Sequence, residues 1–310
     1  MEKPQRQPTF TVKGAKVQIR NMTRTDLDRV GEILFEAFNV GALKHGYAPK
    51  MHSVQEGTSW AWVMLRHGPS ELLIAEVENR AVGICCLNPR GDHGGVGPVA
   101  VDPSFQGYGI GRRLMTVLVN RAEGLQSVRV FQDAFNPASF SLYYSLNFMP
   151  VADLLNLFLD TGDRKGADLC SNVTELTAKD LDAVYTYDVP RSKLNRRTDL
   201  AYYVQWGKVF VYRYQSQIHG FLACLPGSRS VQLGPLVAEG EEEAVCLFQH
   251  ALAVFNERPC QTRVMARDYL LVRTLEELGF KLYCLNILMV RGSWRPSQYI
   301  EAFGRFPEGA

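Results

Sequence analysis

The chain has 310 residues, a formal net charge of +2 and a hydrophobic fraction of 46%. At about 100–200 residues per domain, this length predicts two domains, each able to bury a core of its own. The balanced charge argues against a non-specific nucleic-acid binder, which needs a basic excess or a basic face. We therefore expect a folded protein without a nucleic-acid partner.

The cellular setting is indicated by apolar runs and cysteines. No run reaches the ~18 residues of a transmembrane helix, and the polar start MEKPQRQPTF predicts no secretory signal and no membrane partner. The seven cysteines are odd in number, form no C-x-x-C pair and lie mostly in apolar runs. We expect buried free thiols rather than disulfides or zinc, as is typical of the cytoplasm. The histidines show no metal-ligand spacing, so no metal is expected.

The first half of the chain predicts a mixed α/β unit at residues 15–160, after a flexible N-terminus at 1–14. Its strands are expected at 17–20, 72–77, 81–87, 96–101, 128–132, 149–152 and 155–159, and its helices at 23–38, 58–66, 109–122 and 137–146. A polar, glycine-bearing linker follows at 161–169. A second unit is expected at 170–292, and a tail at 293–310.

The second half repeats the first. Four segments recur in the same order, at intervals of 154, 137, 137 and 132 residues: Thr25–Val30 with Lys179–Val184, Arg80–Leu87 with Gln217–Cys224, Gly97–Ala100 with Gly234–Val237, and Leu146–Phe148 with Leu278–Phe280. Loop insertions explain the drift in the interval. The sequence therefore predicts a duplicated domain.

Residues 99–114 are the most informative segment of the sequence. A strand ends near Val101, Asp102-Pro103 forms a turn, and a glycine-rich loop leads into an amphipathic helix. Glycines let the backbone approach a ligand closely, and the first amides of a helix attract anions. We therefore predict a phosphate or pyrophosphate site, with Arg112 or Arg113 adding positive charge.

The spacing of this loop narrows the ligand. The dinucleotide pattern G-x-G-x-x-G fails because Leu114 stands where the third glycine is needed, and no Gly-Lys-Ser/Thr ends the loop as in nucleotide P-loops. The pattern Q-x-x-G-x-G, formed by Gln106, Gly109 and Gly111, resembles instead the acyl-CoA pyrophosphate loop of the GNAT superfamily of N-acyltransferases.

A later helix strengthens the resemblance. The family pattern L-Y-x-x-x-G-F is matched by Leu142, Tyr143 and Phe148, with Asn147 in place of the glycine. Asparagine tolerates the left-handed conformation of a helix C-terminus, so this departure is mild. The resemblance covers most of residues 15–160 and, more weakly, 170–292.

The resemblance implies a fold and a reaction. The fold is α/β with a mixed (α+β) sheet: two tandem GNAT-like domains, each a mixed, mainly antiparallel twisted sheet flanked by helices. The reaction is acetyl transfer from acetyl-CoA, as co-substrate, to an amine of a small molecule or peptide. The sequence gives no oligomeric state.

Family members bind the acyl arm with main-chain amides of a strand that splays from its neighbour. By alignment these amides belong to Val99 and Val101, with Ala100 between them. Pro98 has no N–H, which suits either such a strand or a sheet edge. The resemblance assigns the pyrophosphate to the loop residues Gln106, Gly107, Tyr108, Gly109, Ile110, Gly111 and Arg112.

Further roles follow from the same alignment. Tyr143 is implied as the general acid that protonates the coenzyme thiolate, with a core tyrosine as the alternative. Asn136 matches the residue that contacts the pantetheine arm, with a helix N-cap as an equal alternative. Some members place a catalytic glutamate where this chain has Gly95. His93 is then a candidate base, while deprotonation through water, or an acceptor amine of low pKa, needs no side-chain base.

The second copy lacks the phosphate loop. At the matching position it carries Glu241, Glu242 and Glu243, which suit a helix N-terminus but repel a pyrophosphate. We expect this copy to be degenerate, with a structural or substrate-shaping role. Segments 40–52 and 187–199 are candidates for the acceptor cleft. The rival hypothesis, favoured by the missing glutamate, is a non-catalytic acyl-CoA-binding sensor or interaction module.

Overall fold

A computed structural model describes residues 9–66 and 70–304. The chain divides into two units with separate internal contacts. Unit 1 holds the described residues up to Val130 together with Phe135–Phe148. Unit 2 holds Phe131–Ala134 and the described residues from Met149 onward. Each unit is described on its own below.

Unit 1 is a mixed sheet with helices. Its strands, in the sheet order β1-β2-β3-β4-β5-β6, are β1 (Thr9–Val12), β2 (Ala15–Asn21), β3 (Glu71–Val77), β4 (Arg80–Arg90), β5 (His93–Val101) and β6 (Ser127–Asp133), whose last three residues belong to unit 2. Its helices are α1 (Leu27–Lys44), α2 (Val54–Arg66), α3 (Ile110–Arg121) and α4 (Pro137–Tyr144). Neighbouring strands are antiparallel except β5 and β6, which are parallel.

Unit 2 repeats this arrangement with additions. Its strands are β7 (Met149–Leu159), β8 (Val173–Glu175), β9 (Lys208–Tyr214), β10 (Gln217–Pro226), β11 (Val231–Ala238), β12 (Cys260–Met265), β13 (Lys281–Gly292) and β14 (Ile300–Ala302). Its helices are α5 (Leu181–Ser192), α6 (Arg197–Trp206), α7 (Glu241–Val254) and α8 (Tyr269–Glu277). The sheet order is β13-β7-β12-β14-β11-β10-β9-β8, and β11 also pairs with β12 in parallel.

Local chemistry explains where α1 begins. Asp26 accepts hydrogen bonds from the backbone N (2.8 Å) and the Oγ1 (2.8 Å) of Thr23, so the chain turns once before the helix starts. Arg20 of β2 pairs with the same carboxylate at 2.8 Å. The buried Val30, Ile33 and Leu34 then form one apolar face at helical spacing. The helix extends to Lys44, six residues beyond the predicted end.

The duplication is confirmed by strand register. Gly83 of β4 lies opposite Val101 of β5, and Gly220 of β10 lies opposite Ala238 of β11. Both positions recur after 137 residues, the interval of the sequence repeat. The mixed α/β fold, with mostly antiparallel strands and flanking helices, is likewise as predicted.

Three terminal and linking segments differ from expectation. Residues 9–12, in the segment expected to be flexible, form β1, since Thr-Phe-Thr-Val alternates and is rich in β-formers. In the expected linker, Arg164 donates to the carbonyl oxygens of Leu252 (2.6 Å) and Arg258 (2.7 Å), so it is docked on unit 2. In the expected tail, β14 joins the sheet.

The strand β7 is also placed differently. The two short strands predicted to close the first domain are one continuous strand, Met149–Leu159. This strand pairs antiparallel with β12 on one side and β13 on the other, both formed by the second half of the chain. Pairing on both edges explains why Met149–Leu159 groups with unit 2 rather than with residues 15–148.

The cysteine prediction is wrong in one respect. Cys170 and Cys246 form a disulfide within unit 2. Sequence spacing gave no sign of it, because the two residues are 76 positions apart and meet only when the chain is folded. The cysteines expected to be buried and free are so at Cys85, Cys86, Cys224, Cys260 and Cys284.

The length and polarity of the helices bear on whether one could cross a bilayer. Across the described parts of the chain, every helix is too short or too polar to cross a membrane.

Candidate functional site

The strand β5 leaves its parallel neighbour halfway along its length. Pairing with β6 begins at His93 opposite Ser127 and ends at Val96 opposite Val130. Pairing with β4 continues to Val101. Within the described residues, no strand pairs with 97–101 on the side away from β4. The strand therefore has one free edge at its carboxyl end, as the family resemblance implied.

The hydrogen bonds fix which amides face this free edge. Asp102 N donates to Val82 O of β4 at 2.9 Å. Because successive amides of an extended strand point to opposite sides, Ala100 N also faces β4, whereas Val99 N and Val101 N face away from it. The two amides proposed for the acyl arm are thus on the free edge.

The side chain of Gln106 confirms that this edge is accessible from the loop. Its Nε2 donates to Val101 O at 2.9 Å, and the carbonyl of a strand residue points to the same side as its N–H. Gln106 therefore reaches β5 from the free side and holds the loop against the strand.

Asp102 anchors the turn that follows β5. Its Oδ1 accepts from Ser104 N (2.8 Å) and Ser104 Oγ (2.5 Å), and its Oδ2 accepts from Arg29 Nη2 of α1. Burial raises the pKa of Asp102, but the Ser104 hydrogen bonds and the Arg29 charge outweigh it and hold that pKa below its ordinary value. The carboxylate stays ionised and fixes the start of the glycine loop.

Two of the three glycines in the loop have a conformational reason. Gly107 and Gly109 have φ of +82° and +79°, in the left-handed region that side chains disfavour. Nothing lies within 4 Å of the position that a Cβ would occupy at either residue. A Cβ at Gly111 would make only ordinary contacts, with Leu142 at 3.6 Å and Val101 at 3.7 Å. The loop shape therefore depends on Gly107 and Gly109.

The helix α3 starts in this loop. Gly109 is its N-cap residue and supplies no side-chain acceptor for the first amides of the helix. Ile110 is 1% exposed and anchors the first turn in the core. Arg112 is exposed and donates from Nη1 to Ser145 Oγ at 2.7 Å. The result is an uncapped helix N-terminus with a nearby cation, which is suited to an anion.

A second cation at this loop was missed by sequence reasoning. Lys13 Nζ donates to Ser104 O at 2.7 Å and lies 5.0 Å and 4.9 Å from the ring centroids of Phe105 and Tyr108. Lys13 belongs to the turn between β1 and β2, in the segment expected to be flexible. No sequence signal could place it here, because the contact spans 91 residues.

The helix α4 meets the same place. Leu142 of α4 and Val101 of β5 both approach Gly111 of α3, and Arg112 joins α3 to Ser145 after α4. The sequence-predicted strand, loop and helix are thus brought together. Tyr143 is 6% exposed, with its ring centroid 6.0 Å from that of Phe148, whereas Tyr144 is 51% exposed.

Asn136 serves as the N-cap of α4. Its Oδ1 accepts from Ser139 N at 3.2 Å, and its backbone O accepts from Ser139 Oγ at 3.0 Å. This is the structural alternative that the sequence left open. The contact of Asn136 with a pantetheine arm stays a prediction.

His93 is in the wrong place for a base acting at Val99. It is the first residue of β5, where its Nδ1 hydrogen bonds with Ser127 Oγ at 2.7 Å. His93 lies opposite Arg90 of β4 and Val99 lies opposite Cys85, so five residues of β4, or about 16 Å at the usual rise per residue, separate the two positions. The two residues are close in sequence, but the strand places them far apart in space.

The segment between α1 and α2 packs on Phe135, which precedes α4 in unit 1. The ring centroids of Tyr47 and Phe135 are 4.4 Å apart and stacked, and that of His45 is 5.5 Å from Phe135. Lys50 Nζ lies 5.3 Å from the Phe135 centroid. Sequence reasoning named this segment as a candidate acceptor region. Only the fold shows that the ring and the segment meet.

The arrangement of the imidazole, thiol and carboxylate side chains bears on metal binding. Over residues 9–66 and 70–304, no group of three or more His, Cys, Asp or Glu is arranged to hold a metal ion.

Comparison with known families defines the class of protein. The first half of the chain matches the model of the acetyltransferase (GNAT) family over residues 30–148. The second half matches the model of an acetyltransferase (GNAT) domain over residues 192–304. Together the two matches span well over half of the chain. The protein therefore belongs to the GNAT acetyltransferase family and carries two GNAT domains in tandem.

Solved structures share this fold at low sequence identity. A Pyrococcus horikoshii protein described as a candidate acetyltransferase is 17% identical, with 97% of each chain covered and a TM-score of 0.77. A GCN5-related N-acetyltransferase from Sphaerobacter thermophilus is 15% identical, with 89% of this chain and 95% of that chain covered and a TM-score of 0.61. No curated protein sequence matches this chain.

A tandem GNAT protein from the clavulanic acid biosynthesis pathway has the same two-domain organisation. It is 14% identical, with 91% of this chain and 100% of that chain covered, and the TM-score is 0.60. At these identities the likeness concerns the fold alone.

Proposed function

We propose that the protein is an acetyl-CoA-dependent N-acetyltransferase whose reaction takes place in unit 1. The observation that carries the proposal is the free edge of β5, where Val99 N and Val101 N face away from β4 and the glycine loop follows directly. Hydrogen-bond donors, left-handed glycines and an uncapped helix N-terminus therefore stand in the order that an acyl-pantetheine diphosphate presents its groups. Membership of the GNAT family agrees with this function.

Main-chain groups would do most of the binding. The amides of residues 107–112, at the start of α3, would donate to the diphosphate, while Arg112 and Lys13 add positive charge. The amides of Val99 and Val101 would donate to the carbonyls of the pantetheine arm and the acyl group. Asn136 would contact the same arm while it caps α4.

The chemistry then needs three events at the thioester carbonyl. The acceptor nitrogen attacks the carbonyl carbon, and the Val99 N–H stabilises the negative charge that develops on its oxygen. The C–N bond forms and the C–S bond breaks, so the electron pair leaves on sulfur. Tyr143 donates its phenolic proton to that thiolate and regains a proton from solvent.

The attacking amine must lose its proton, and this proposal assigns no side-chain base. His93 is about 16 Å from Val99 along the sheet. Deprotonation through water, or an acceptor amine of low pKa, fulfils the requirement without a carboxylate at Gly95.

The acceptor is proposed to be a primary amine of a small molecule or peptide. It would meet unit 1 at the stacked Tyr47 and Phe135, whose rings suit the apolar part of an acceptor or its ammonium group. Unit 2 would be structural or substrate-shaping, since Glu241, Glu242 and Glu243 stand at the start of its helix α7. We expect the enzyme to work in the cytoplasm.

Turnover tests this function. Purified protein is incubated with acetyl-CoA and a panel of primary amines, and free thiol is measured together with the mass of each acceptor. Amine-dependent thiol release with an acceptor gain of one acetyl group supports the proposal. Saturable acetyl-CoA binding by calorimetry with no turnover on any amine would indicate the acyl-CoA-binding sensor instead. No heat on titration with acetyl-CoA contradicts both.

A further inference from the structure

The cleft of unit 2 contains a strand of the protein's own chain. Like β5, β11 pairs in parallel with its neighbour only at the start, from Val231 to Leu233. Beyond that point β14 takes the place of β12 and pairs antiparallel with residues 236–238 of β11. On its other side, Ala302 of β14 lies opposite Val264 of β12. The gap between the two strands is therefore filled.

The filled positions are the counterparts of the proposed acyl-binding amides. Leu236 and Ala238 follow Val99 and Val101 by 137 residues, the interval of the repeat and of the strand register. Glu239 N donates to His219 O at 3.0 Å, as Asp102 N does to Val82 O. By the same alternation, Leu236 N and Ala238 N point away from β10 and towards β14.

The donors of β14 alternate in the same way. Phe303 N donates to Arg263 O of β12 at 2.8 Å. The preceding amide, Ala302 N, therefore faces β11, where Ala302 lies opposite Leu236. The tail strand exchanges main-chain hydrogen bonds with both walls of the cleft, as an added strand does in β-augmentation.

Residues 302–304, at the end of β14 and directly after it, are closely packed, so displacing them would cost packing free energy. A Cβ at Gly234 would lie 2.7 Å from the carbonyl carbon of Phe303, so the two backbones touch. Ala302 and Phe303 are 1% and 4% exposed. A Cβ at Gly304 would lie 2.7 Å from the hydroxyl of Tyr203. The glycines at 234 and 304 permit this approach.

We infer that the cleft of unit 2 is a polypeptide-binding site, and that residues 300–304 of the same chain occupy it where unit 1 binds the acyl-pantetheine arm. Each chain then binds one coenzyme, at β5. This inference rests on the proposed function for the identity of the ligand in unit 1. The placement of the tail in unit 2 stands on the contacts above.

Hydrogen exchange and calorimetry on the full chain test the inference. Without coenzyme, we expect slow exchange in peptides covering residues 231–238 and faster exchange in those covering 97–101. Acetyl-CoA is expected to slow exchange at 97–101, to leave 231–238 unchanged, and to bind with a stoichiometry of one per chain. Two sites per chain, or protection of 231–238 by acetyl-CoA, would overturn the inference.

A proline variant tests the pairing itself. Ala302→Pro removes the N–H that faces β11, so exchange at 231–238 is expected to rise by about tenfold or more while acetyl-CoA affinity at β5 is unchanged. Gln298→Pro, at an exposed residue outside β14, is the matched control and leaves exchange at 231–238 as in the parent chain. Unchanged exchange at 231–238 in folded Ala302→Pro contradicts the inference.

The possible failures are distinct. Should Ala302→Pro not fold, rapid exchange at 231–238 in the unmodified chain still contradicts the placement of the tail. Should acetyl-CoA not bind at all, the proposed function fails, while slow exchange at 231–238 and its rise in Ala302→Pro still support a strand-filled cleft.

Discussion

The strands β5 and β11 have the same register with their antiparallel partners but different neighbours at their carboxyl ends. On the side away from β4, the described chain places no strand beside residues 97–101 of β5, whereas β14 lies beside residues 236–238 of β11. Main-chain donors inside a protein must find acceptors. The same amides can therefore serve a bound ligand in one unit and a strand in the other.

The helices that follow these strands differ as well. Gly109 precedes α3 with a left-handed φ of +79°, and the first turn carries Arg112 and Arg113. Gly240 precedes α7 with an extended backbone, and the first turn carries three glutamates. Both helices present the positive end of a dipole. The neighbouring charges therefore favour an anionic ligand at the start of α3 and oppose one at the start of α7.

The largest expected effect concerns which unit reacts. Tyr143→Phe removes the proposed proton donor and is expected to lower kcat by about 10²- to 10⁴-fold, with the Kd for acetyl-CoA unchanged by calorimetry. Tyr144→Phe, at the exposed neighbouring tyrosine, is the control and should retain kcat. Unit 2 has Leu275 at the matching position, so full activity in Tyr143→Phe would move the reaction away from α4.

The start of the first helix in each unit offers a comparison of stability. The Arg20 hydrogen bond lowers the pKa of Asp26 from 3.8 to about 2, although burial opposes the shift. Its counterpart Asp180 accepts a hydrogen bond from uncharged Thr177. Asp26→Asn is expected to cost about 2 kcal/mol of unfolding free energy at pH 7, and Asp180→Asn less than about 1 kcal/mol, both measured by denaturant titration.

The contact between Asp26 and Arg20 also makes the unfolding free energy depend on pH. Because the pKa of Asp26 is lower in the folded state than in the unfolded state, its contribution is complete above about pH 4 and is lost as the pH falls towards 2. The difference in unfolding free energy between the parent chain and Asp26→Asn should shrink over that range. A difference that stays constant down to pH 2 would show that the carboxylate charge is not its source.

The glycine before each helix tests the shape of the phosphate loop. Gly109→Ala forces a Cβ into the left-handed region, which costs about 1–2 kcal/mol. In the protein without coenzyme, the loop then relaxes to a different conformation. Because binding must restore the original conformation, the affinity for acetyl-CoA should fall by about tenfold. Gly240→Ala is the control, since its φ of −150° suits any residue. Equal losses of affinity in calorimetry would mean that loop shape is not the cause.

The smallest effect concerns the cation supplied by the first hairpin. Lys13→Met removes a charge beside Ser104 and is expected to weaken acetyl-CoA binding by about threefold at low salt, and by less at high salt. Lys16→Met removes an exposed charge from β2 and serves as the control. If both variants lose the same affinity for acetyl-CoA, the cause is the net charge of the protein and not the contact of Lys13 with the loop.

The sequence predicted the elements whose chemistry is local. Alternating or periodic apolar residues gave β3, β4 and α3, and the turn at Asp102-Pro103 follows from the geometry of those two residues. The prediction was wrong where the pairing of a strand is remote. The segment 149–159 has strand character, but only its partners Cys260–Met265 and Lys281–Gly292 decide which unit it joins.

The residues of the candidate site likewise divide into those predicted from local spacing and those that only remote contacts bring together. Gln106, Gly109 and Gly111 were predicted because their spacing is a property of one loop. Lys13 was missed because it reaches this loop from the turn between β1 and β2, and Phe135 was missed because only the fold brings Tyr47 to it. His93 was chosen for its nearness in sequence, and the extended backbone of β5 carries it away from Val99.

The repeat, the glycine loop and the loss of that loop in the second half were determined by the sequence alone, because each depends on residue types at fixed short spacing. Tertiary structure decided what lies at the end of each repeated strand. Main-chain amides are the same in every strand, so the sequence of a strand does not indicate which acceptors they will bind. Only the folded chain shows that residues 300–302 pair with β11, while β5 keeps a free edge.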